Sequence, residues 1–235
     1  MSTTGGDAAS AAGRVLGRAV RGALAEALAV LVPVACAGCG RPDRALCVPC
    51  RAAIRRAVRV HRTRLGALPL VAALPYAGVV RPVLGAFKDD GRTELTGVLA
   101  GPLRCALRAA LTRTPEPPLL VAAPSRRSAG RRRGYVPLEL LCGRAVPGVR
   151  VSGALRFGRR VDDQAGLGRA ARARNVAGAM RASAEVAGRA VLLVDDVVTT
   201  GATAREAARA VAAAEGRPIG VVALALTPRR HDATP

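Results

Sequence analysis

The stretch Val191-Leu192-Leu193-Val194-Asp195-Asp196-Val197-Val198-Thr199-Thr200-Gly201-Ala202-Thr203 decides how this chain is read. Its four leading apolar residues predict a buried strand. Two carboxylates follow at the carboxyl end, where open α/β sheets bind ligands. A Thr-Thr-Gly-Ala-Thr turn then opens a helix. Hydroxyls, backbone amides and the positive helix end converge on one spot, which suits a phosphate. Gly201 lets the backbone come close to that phosphate. The acids repel phosphate, so they must serve something else. They suit sugar hydroxyls, or a Mg²⁺ carried by a polyphosphate. Together these residues describe a site for a ribose 5-phosphate bearing a second, metal-bound phosphate group. An ordinary strand-to-helix turn has no need of two adjacent carboxylates at the end of a buried strand.

Outward from this stretch, short apolar runs alternate with helical segments. Residues 70–74, 119–123 and 219–226 predict further strands, and segments near 92–112, 135–146 and 202–214 predict helices. Strands alternating with helices argue for an α/β domain with a largely parallel sheet. Upstream, residues 1–10 are small and polar, residues 11–32 have helical character, and Pro33 ends that segment. A short basic helix is expected near 51–60 and a linker over 61–69. The expected organisation is a tail and helix over 1–32, a cysteine-rich subdomain over 33–60, and the α/β domain over 70–228.

Cys36-x2-Cys39-x7-Cys47-x2-Cys50 is a pair of CxxC knuckles. Each turn presents two thiolates, and two turns close a tetrahedral shell around zinc. Gly38, Gly40 and Pro49 suit tight turns. A four-Cys site is closed, so its role is structural. The competing reading is a pair of disulfides in an exported domain, which a cytoplasmic setting disfavours. Cys105 and Cys142 lie apart in helical stretches and read as buried small apolar residues.

Composition removes several classes. The 37 basic residues against 16 acidic ones leave a net charge of +21, which favours polyanions such as nucleic acid, nucleotides or pyrophosphate. Lys88 is the only lysine, and Asp89 follows it, so no Walker A sequence is possible. With only His61 and His231, a two-His zinc protease motif is absent. Four aromatic residues are too few for stacking along a single strand of bases. No uninterrupted apolar run reaches the length of a membrane span. Residues 15–35 mimic a secretory signal, with arginines ahead of an apolar stretch, but Glu26 interrupts it. The expectation is an amphipathic helix in a cytoplasmic protein.

A second basic element follows the apolar run that ends at Ala123. In Pro124-Ser125-Arg126-Arg127-Ser128-Ala129-Gly130-Arg131-Arg132-Arg133-Gly134-Tyr135, five arginines fall within eight positions. Arginine forks bind phosphate bidentately, so a pyrophosphate leaving group or a nucleic-acid backbone would satisfy them. A solvated surface run is the plainer alternative. Farther on, Gln164, Leu167, Arg172 and Asn175 follow Arg159 and Arg160 in a polar, Gly-containing segment that has the composition of a flap.

Residues 191–203 resemble, at every position, the phosphoribosyl-pyrophosphate signature of type I phosphoribosyltransferases. The resemblance implies that Asp195 and Asp196 hold the ribose 2′- and 3′-hydroxyls, directly or through Mg²⁺. It also implies that Thr199, Thr200, Gly201, Ala202 and Thr203 bind the 5′-phosphate. With the cysteines included, the chain resembles the ComF family of competence-associated phosphoribosyltransferase-like proteins. The order matches over residues 25–226: an apolar helix, the four-Cys knuckle, a Tyr76-x-Gly78-x2-Arg81 segment, Phe87-Lys88, the Arg-rich loop ending Arg133-Gly134-Tyr135, the Gln-Leu-Arg-Asn segment, and the Asp195-Asp196 signature. Two departures fall beside the pyrophosphate loop. Val136-Pro137 stand where the family usually has Asn-Gln, and Ala122-Ala123-Pro124 stand where it usually has Pro-Val-Pro. They bear on catalysis more than on ribose-phosphate binding.

The resemblance implies a type I phosphoribosyltransferase-like parallel sheet flanked by helices, with a small N-terminal zinc-binding subdomain. It implies a cytoplasmic protein linked to uptake of single-stranded DNA or to a nearby use of nucleotides. Phosphoribosyl transfer breaks the bond between C1 and pyrophosphate, and needs Mg²⁺ and cations at the leaving group plus a fixed ribose. Lys88, Arg126, Arg127, Arg131, Arg132 and Arg133 are the candidates for the leaving group. Asp195 and Asp196 fix the ribose. Arg159, Arg160 and Gln164 are candidates for a hood over the acceptor. Three readings follow: a Mg²⁺-dependent transferase of unknown acceptor, a DNA-uptake factor that binds phosphoribosyl pyrophosphate and single-stranded DNA without transfer, and a nucleotide-sensing regulator.

Overall fold

The computed structural model describes residues 34–42, 44–112, 114, 116–124, 136–159 and 175–228. The helix expected over 11–32, the arginines at 126, 127 and 131–133, and the segment with Arg160, Gln164, Leu167 and Arg172 lie outside the described residues. The chain divides into two compact units, with the division after Cys47.

The larger unit starts with α1 (Val48–Ala57) and a hairpin of β1 (His61–Leu65) and β2 (Leu68–Pro75). Then come α2 (Val80–Lys88), α3 (Thr96–Leu111), β3 (Leu119–Ala122), α4 (Pro137–Ala145), β4 (Val151–Ser152), β5 (Leu155–Phe157), β6 (Met180–Ala182), β7 (Ala190–Val198), α5 (Ala202–Ala213) and β8 (Arg217–Leu226). The main sheet runs β1-β2-β8-β7-β3-β4. Only the β1–β2 pair in it is antiparallel. β5 and β6 form a separate antiparallel pair.

The central strands β2, β8, β7 and β3 are near-continuous apolar runs, as strands buried on both faces require. Leu70, Ala72, Val121, Val191, Leu193, Val221 and Ala223 share one core with Ala204, Ala207 and Val211 of α5. Their alternates point to the opposite face by the period of two. There α3 packs on β2 and β8 and carries α4 on its flank. Alanine on α5 lets the helix lie close to the sheet, which is how a chain with so few aromatics closes its core.

The hairpin corrects one expectation. Residues 61–69 form β1, a two-residue turn and the start of β2 rather than a linker. Alternating charges in His61-Arg62-Thr63-Arg64 mask the strand, because an edge strand needs an apolar residue only where it meets the core. That residue is Leu65, which is buried. Helix α2 also goes unannounced by the sequence pattern. Cys142 is buried as expected, but Cys105 is exposed on α3.

Candidate active site

Strand order decides where a ligand fits. β7 runs through α5 to β8 on one side, whereas β3 runs through α4 to β4 on the other. Neighbouring parallel strands whose connections diverge leave a crevice at their carboxyl ends. Here that crevice lies between β3 and β7. Ala122 pairs with Val194, and the Ala123 N–H donates to the Val194 carbonyl at 2.7 Å. The next residues are Asp195 on β7 and Pro124 after β3. The sheet thus brings the carboxylates and the start of the Arg-rich loop together, although 71 positions separate them in the chain.

Asp195 is buried, at 8% exposure. Its Oδ1 accepts the Asp196 N–H at 2.8 Å. Burial and the neighbouring Asp196 charge push its carboxyl far above the usual range, against the pull of Lys88. Asp196 is half-buried and meets Lys88 Nζ at 2.8 Å through Oδ2 and 3.0 Å through Oδ1. Lys88 is the last residue of α2. Desolvation opposes its charge, but Asp196, and more weakly Asp195 and Asp89, hold its pKa above the ordinary value. Lys88 is therefore placed on the carboxylate pair itself.

The turn after β7 is built around Gly201. Its φ is +74°, the left-handed region, and a Cβ there would run into Leu65 Cδ1. Both conditions exclude a side chain. Gly201 is also the N-cap of α5 and offers no capping side chain to the first-turn amides. Such amides lack intrahelical partners and suit an anion. Thr200 Oγ1 accepts the Ala202 N–H at 3.3 Å, and Arg205 Nη2 donates to the Thr200 carbonyl at 3.0 Å. Thr199 is exposed and Thr203 half-buried. One strand over, at the end of β8, Thr227 Oγ1 is buried with no hydrogen-bond partner among the described residues.

Two arrangements escaped the sequence reading. Glu206 of α5 is buried and accepts the Met180 N–H at 2.9 Å, while Arg209 donates to Glu206 and to the Met180 carbonyl at 3.0 Å. This clamp docks the β5–β6 pair on the helix that opens at Gly201. Desolvation raises the Glu206 pKa, but the Arg209 hydrogen bond and the Met180 and Gly178 amides outweigh it and hold it low. Arg159 donates to the carbonyls of Asn175 and Ala177 at 3.0 and 2.9 Å, so residues on either side of 160–174 meet. The spacing of Glu206 and Arg209 on one helix face was the available signal, but it carries no hint of Met180.

The four cysteines Cys36, Cys39, Cys47 and Cys50 bring their sulfurs within 4.8 Å of one another. Cys39 Sγ and Cys47 Sγ stand 3.6 Å apart. The Cys36 N–H donates to the Arg41 carbonyl and the Gly40 N–H to the Cys36 carbonyl, which closes the first knuckle. Burial disfavours the Cys36 thiolate, but the Cys47 N–H on its Sγ, with the Gly38 and Cys39 amides, brings the thiol down to about 6. A donor set of four thiols, one of them poised to ionise, fits a tetrahedral zinc. Where the cluster holds zinc, the ion supplies structural cross-linking.

The Phosphoribosyl transferase domain family matches residues 132–234. DNA utilization protein YhgH of Escherichia coli (strain K12) is 30% identical over 179 residues, covering 74% of this chain and 76% of that protein. The chain belongs to the ComF family. The YhgH protein of Shigella flexneri is 29% identical over the same share of each chain. This ComF chain has the expected fold class, a mostly parallel α/β sheet with a four-Cys cluster ahead of it. Among solved structures it is similar to the allosteric regulatory enzyme of purine biosynthesis, at 20% identity and a TM-score of 0.34, over 54% of this chain and 26% of that one. Among the described residues of this ComF protein, no helix is long and apolar enough to cross a membrane.

Proposed function

We propose that this protein binds phosphoribosyl pyrophosphate with Mg²⁺ in the β3–β7 crevice and acts as a phosphoribosyltransferase on an acceptor linked to the use of DNA. The observation that carries this reading is the buried Asp195 beside Asp196, directly ahead of the Gly201 turn. Asp195 and Asp196 would hold the ribose hydroxyls, directly or through Mg²⁺. Thr199, Thr200, Gly201, Ala202 and Thr203 would hold the 5′-phosphate. Mg²⁺, carried by the substrate, would supply charge neutralisation at the leaving group. Lys88, with the arginines at 126, 127 and 131–133, would bind the departing pyrophosphate.

The chain's own residues act by placement. Asp195 is protonated or ionised according to what faces it, so an incoming cation and diol favour its charged form. The turn at Gly201 aims amides where the phosphate would lie. Four cysteines would hold one structural zinc in a subdomain over 33–60, ahead of a phosphoribosyltransferase-like domain over 70–228, in a cytoplasmic protein.

Calorimetric titration with phosphoribosyl pyrophosphate and Mg²⁺, followed by a pyrophosphate-release screen over nucleobases, tests the reading. Binding weakened about tenfold or more in Asp195→Asn and in Asp196→Asn is expected, since a charge-assisted hydrogen bond contributes on the order of 1.5–3 kcal/mol. Unchanged affinity in both variants would place the ligand elsewhere.

The name of the E. coli relative favours a second reading, in which the protein binds phosphoribosyl pyrophosphate and single-stranded DNA, beside DNA-uptake proteins, without transfer. Replacing Arg131, Arg132 and Arg133 by Ala would then flatten the salt dependence of DNA binding by about 0.7 per lost contact. A nucleotide-sensing role on the same fold would show binding without pyrophosphate release.

A further inference from the structure

A second concave surface lies away from Asp195 and the Gly201 turn. A cleft of about 480 Å³ opens between α1 and α3, within the size range of small-ligand sites. Arg51 and Arg55 line it from α1, and Arg104 and Arg108 line it from α3. Among the described residues, no acidic one lines it. Other arginines of this chain are engaged with acids: Arg92 with Glu94, Arg150 with Glu185, Arg209 with Glu206. The side chains of Arg51, Arg55 and Arg108 make no hydrogen bond or ion pair among the described residues. Arg104 is held by its Nε on the Ala145 carbonyl at 2.7 Å, which fixes it at the cleft.

Spacing adds chemistry to charge. Each helix presents its two arginines four residues apart, a rise of about 6 Å. The two pairs face one concavity, so an anion with one phosphate meets only part of the set. The α3 side of the cleft also carries glycine. Gly97 and Gly101, again four apart, line the cleft from α3, and a Cβ at either would meet nothing within 4 Å. Packing therefore does not require glycine there, and helix propensity opposes it by about 1 kcal/mol each. Two glycines kept at that cost leave room for something else.

We propose that this cleft is a second phosphate-binding site, which takes ligands presenting at least two phosphates in series. Free polyphosphate and a nucleic-acid backbone share that chemistry, and the experiment separates them. Tripolyphosphate binding to the full chain is measured by calorimetry. Binding of a labelled single-stranded oligonucleotide is measured by anisotropy at several salt concentrations. Both are repeated on Arg55→Gln/Arg108→Gln and on Gly101→Leu, which fills the cleft without removing charge.

Tenfold or greater weakening of at least one probe in both variants is expected, with melting temperatures kept and phosphoribosyl-pyrophosphate affinity unchanged. Weakening of tripolyphosphate alone identifies free polyphosphate as the ligand. Weakening of the oligonucleotide alone identifies the backbone, and its salt slope then falls by about 0.7 per lost contact in the arginine variant. Wild-type binding of both probes by the two variants overturns the proposal. So does weakening in the arginine variant with none in Gly101→Leu, because that outcome reports diffuse charge rather than a built cleft.

Discussion

Lys88 Nζ reaches both oxygens of Asp196 from 108 residues away, at 2.8 and 3.0 Å. The contact fastens the end of α2 to the carboxyl end of β7. It also places the chain's only lysine on the carboxylate pair proposed to hold ribose.

Lys88→Met removes the cation and leaves two adjacent carboxylates. The side chain is 49% exposed, so the loss of stability is modest, about 1 kcal/mol. The functional loss is larger. Pyrophosphate release is expected to fall by tenfold or more, measured under saturating Mg²⁺. Release at the wild-type rate would remove Lys88 from the machinery.

Asp195 makes stability depend on pH. Burial, then the Asp196 charge, raise its carboxyl to about 8 in the folded chain. In the unfolded chain it titrates near pH ~4. Between those values the folded state keeps a proton that the unfolded state has lost. The contribution is therefore fully present below about pH 4 and is lost as pH rises to about 8. The melting temperature of the ligand-free protein is expected to decline across that window on account of this group. Asp195→Asn keeps the acceptor for the Asp196 N–H and flattens the decline, with a gain on the order of 2 kcal/mol at pH 8. A variant whose melting curve tracks the wild type at every pH contradicts the assignment.

Gly201→Ala meets two obstacles, the positive φ and Leu65 Cδ1. Left-handed backbone costs an L residue about 1–2 kcal/mol, and overpacking a further 1–3 kcal/mol. Denaturant unfolding should register the sum. Adding Leu65→Ala relieves only the collision, so the double variant is expected to lose less than the two single changes together. Additive losses would mean that Leu65 and Gly201 do not press on each other.

One zinc per chain is expected in the reduced protein by elemental analysis. Chelation, or Cys47→Ser, should lower thermal stability and expose thiols to titration. A metal-free protein that melts at the same temperature with all four thiols free would refute a structural metal there.

Much of this protein was legible in the sequence because the decisive signals are local. The strand-turn-helix of residues 191–203 forms as read, with Gly201 in the left-handed conformation that such a turn demands. The paired CxxC spacing likewise yields four sulfurs in one cluster. Both depend on residues a few positions apart, where geometry follows from the chain itself. Strand pairing, by contrast, sets contacts between distant segments. The charged β1 strand read as a linker because its single buried residue, Leu65, has meaning only beneath Gly201. The exposure of Cys105 and its place among the arginines follow from how α3 lies against α1 and the sheet. Local pattern determined the elements and the residues of the candidate site. Tertiary packing decided which of them meet: strand order puts Pro124 beside Asp195, the end of α2 puts Lys88 on Asp196, and the docking of the β5–β6 pair on α5 puts Met180 on Glu206.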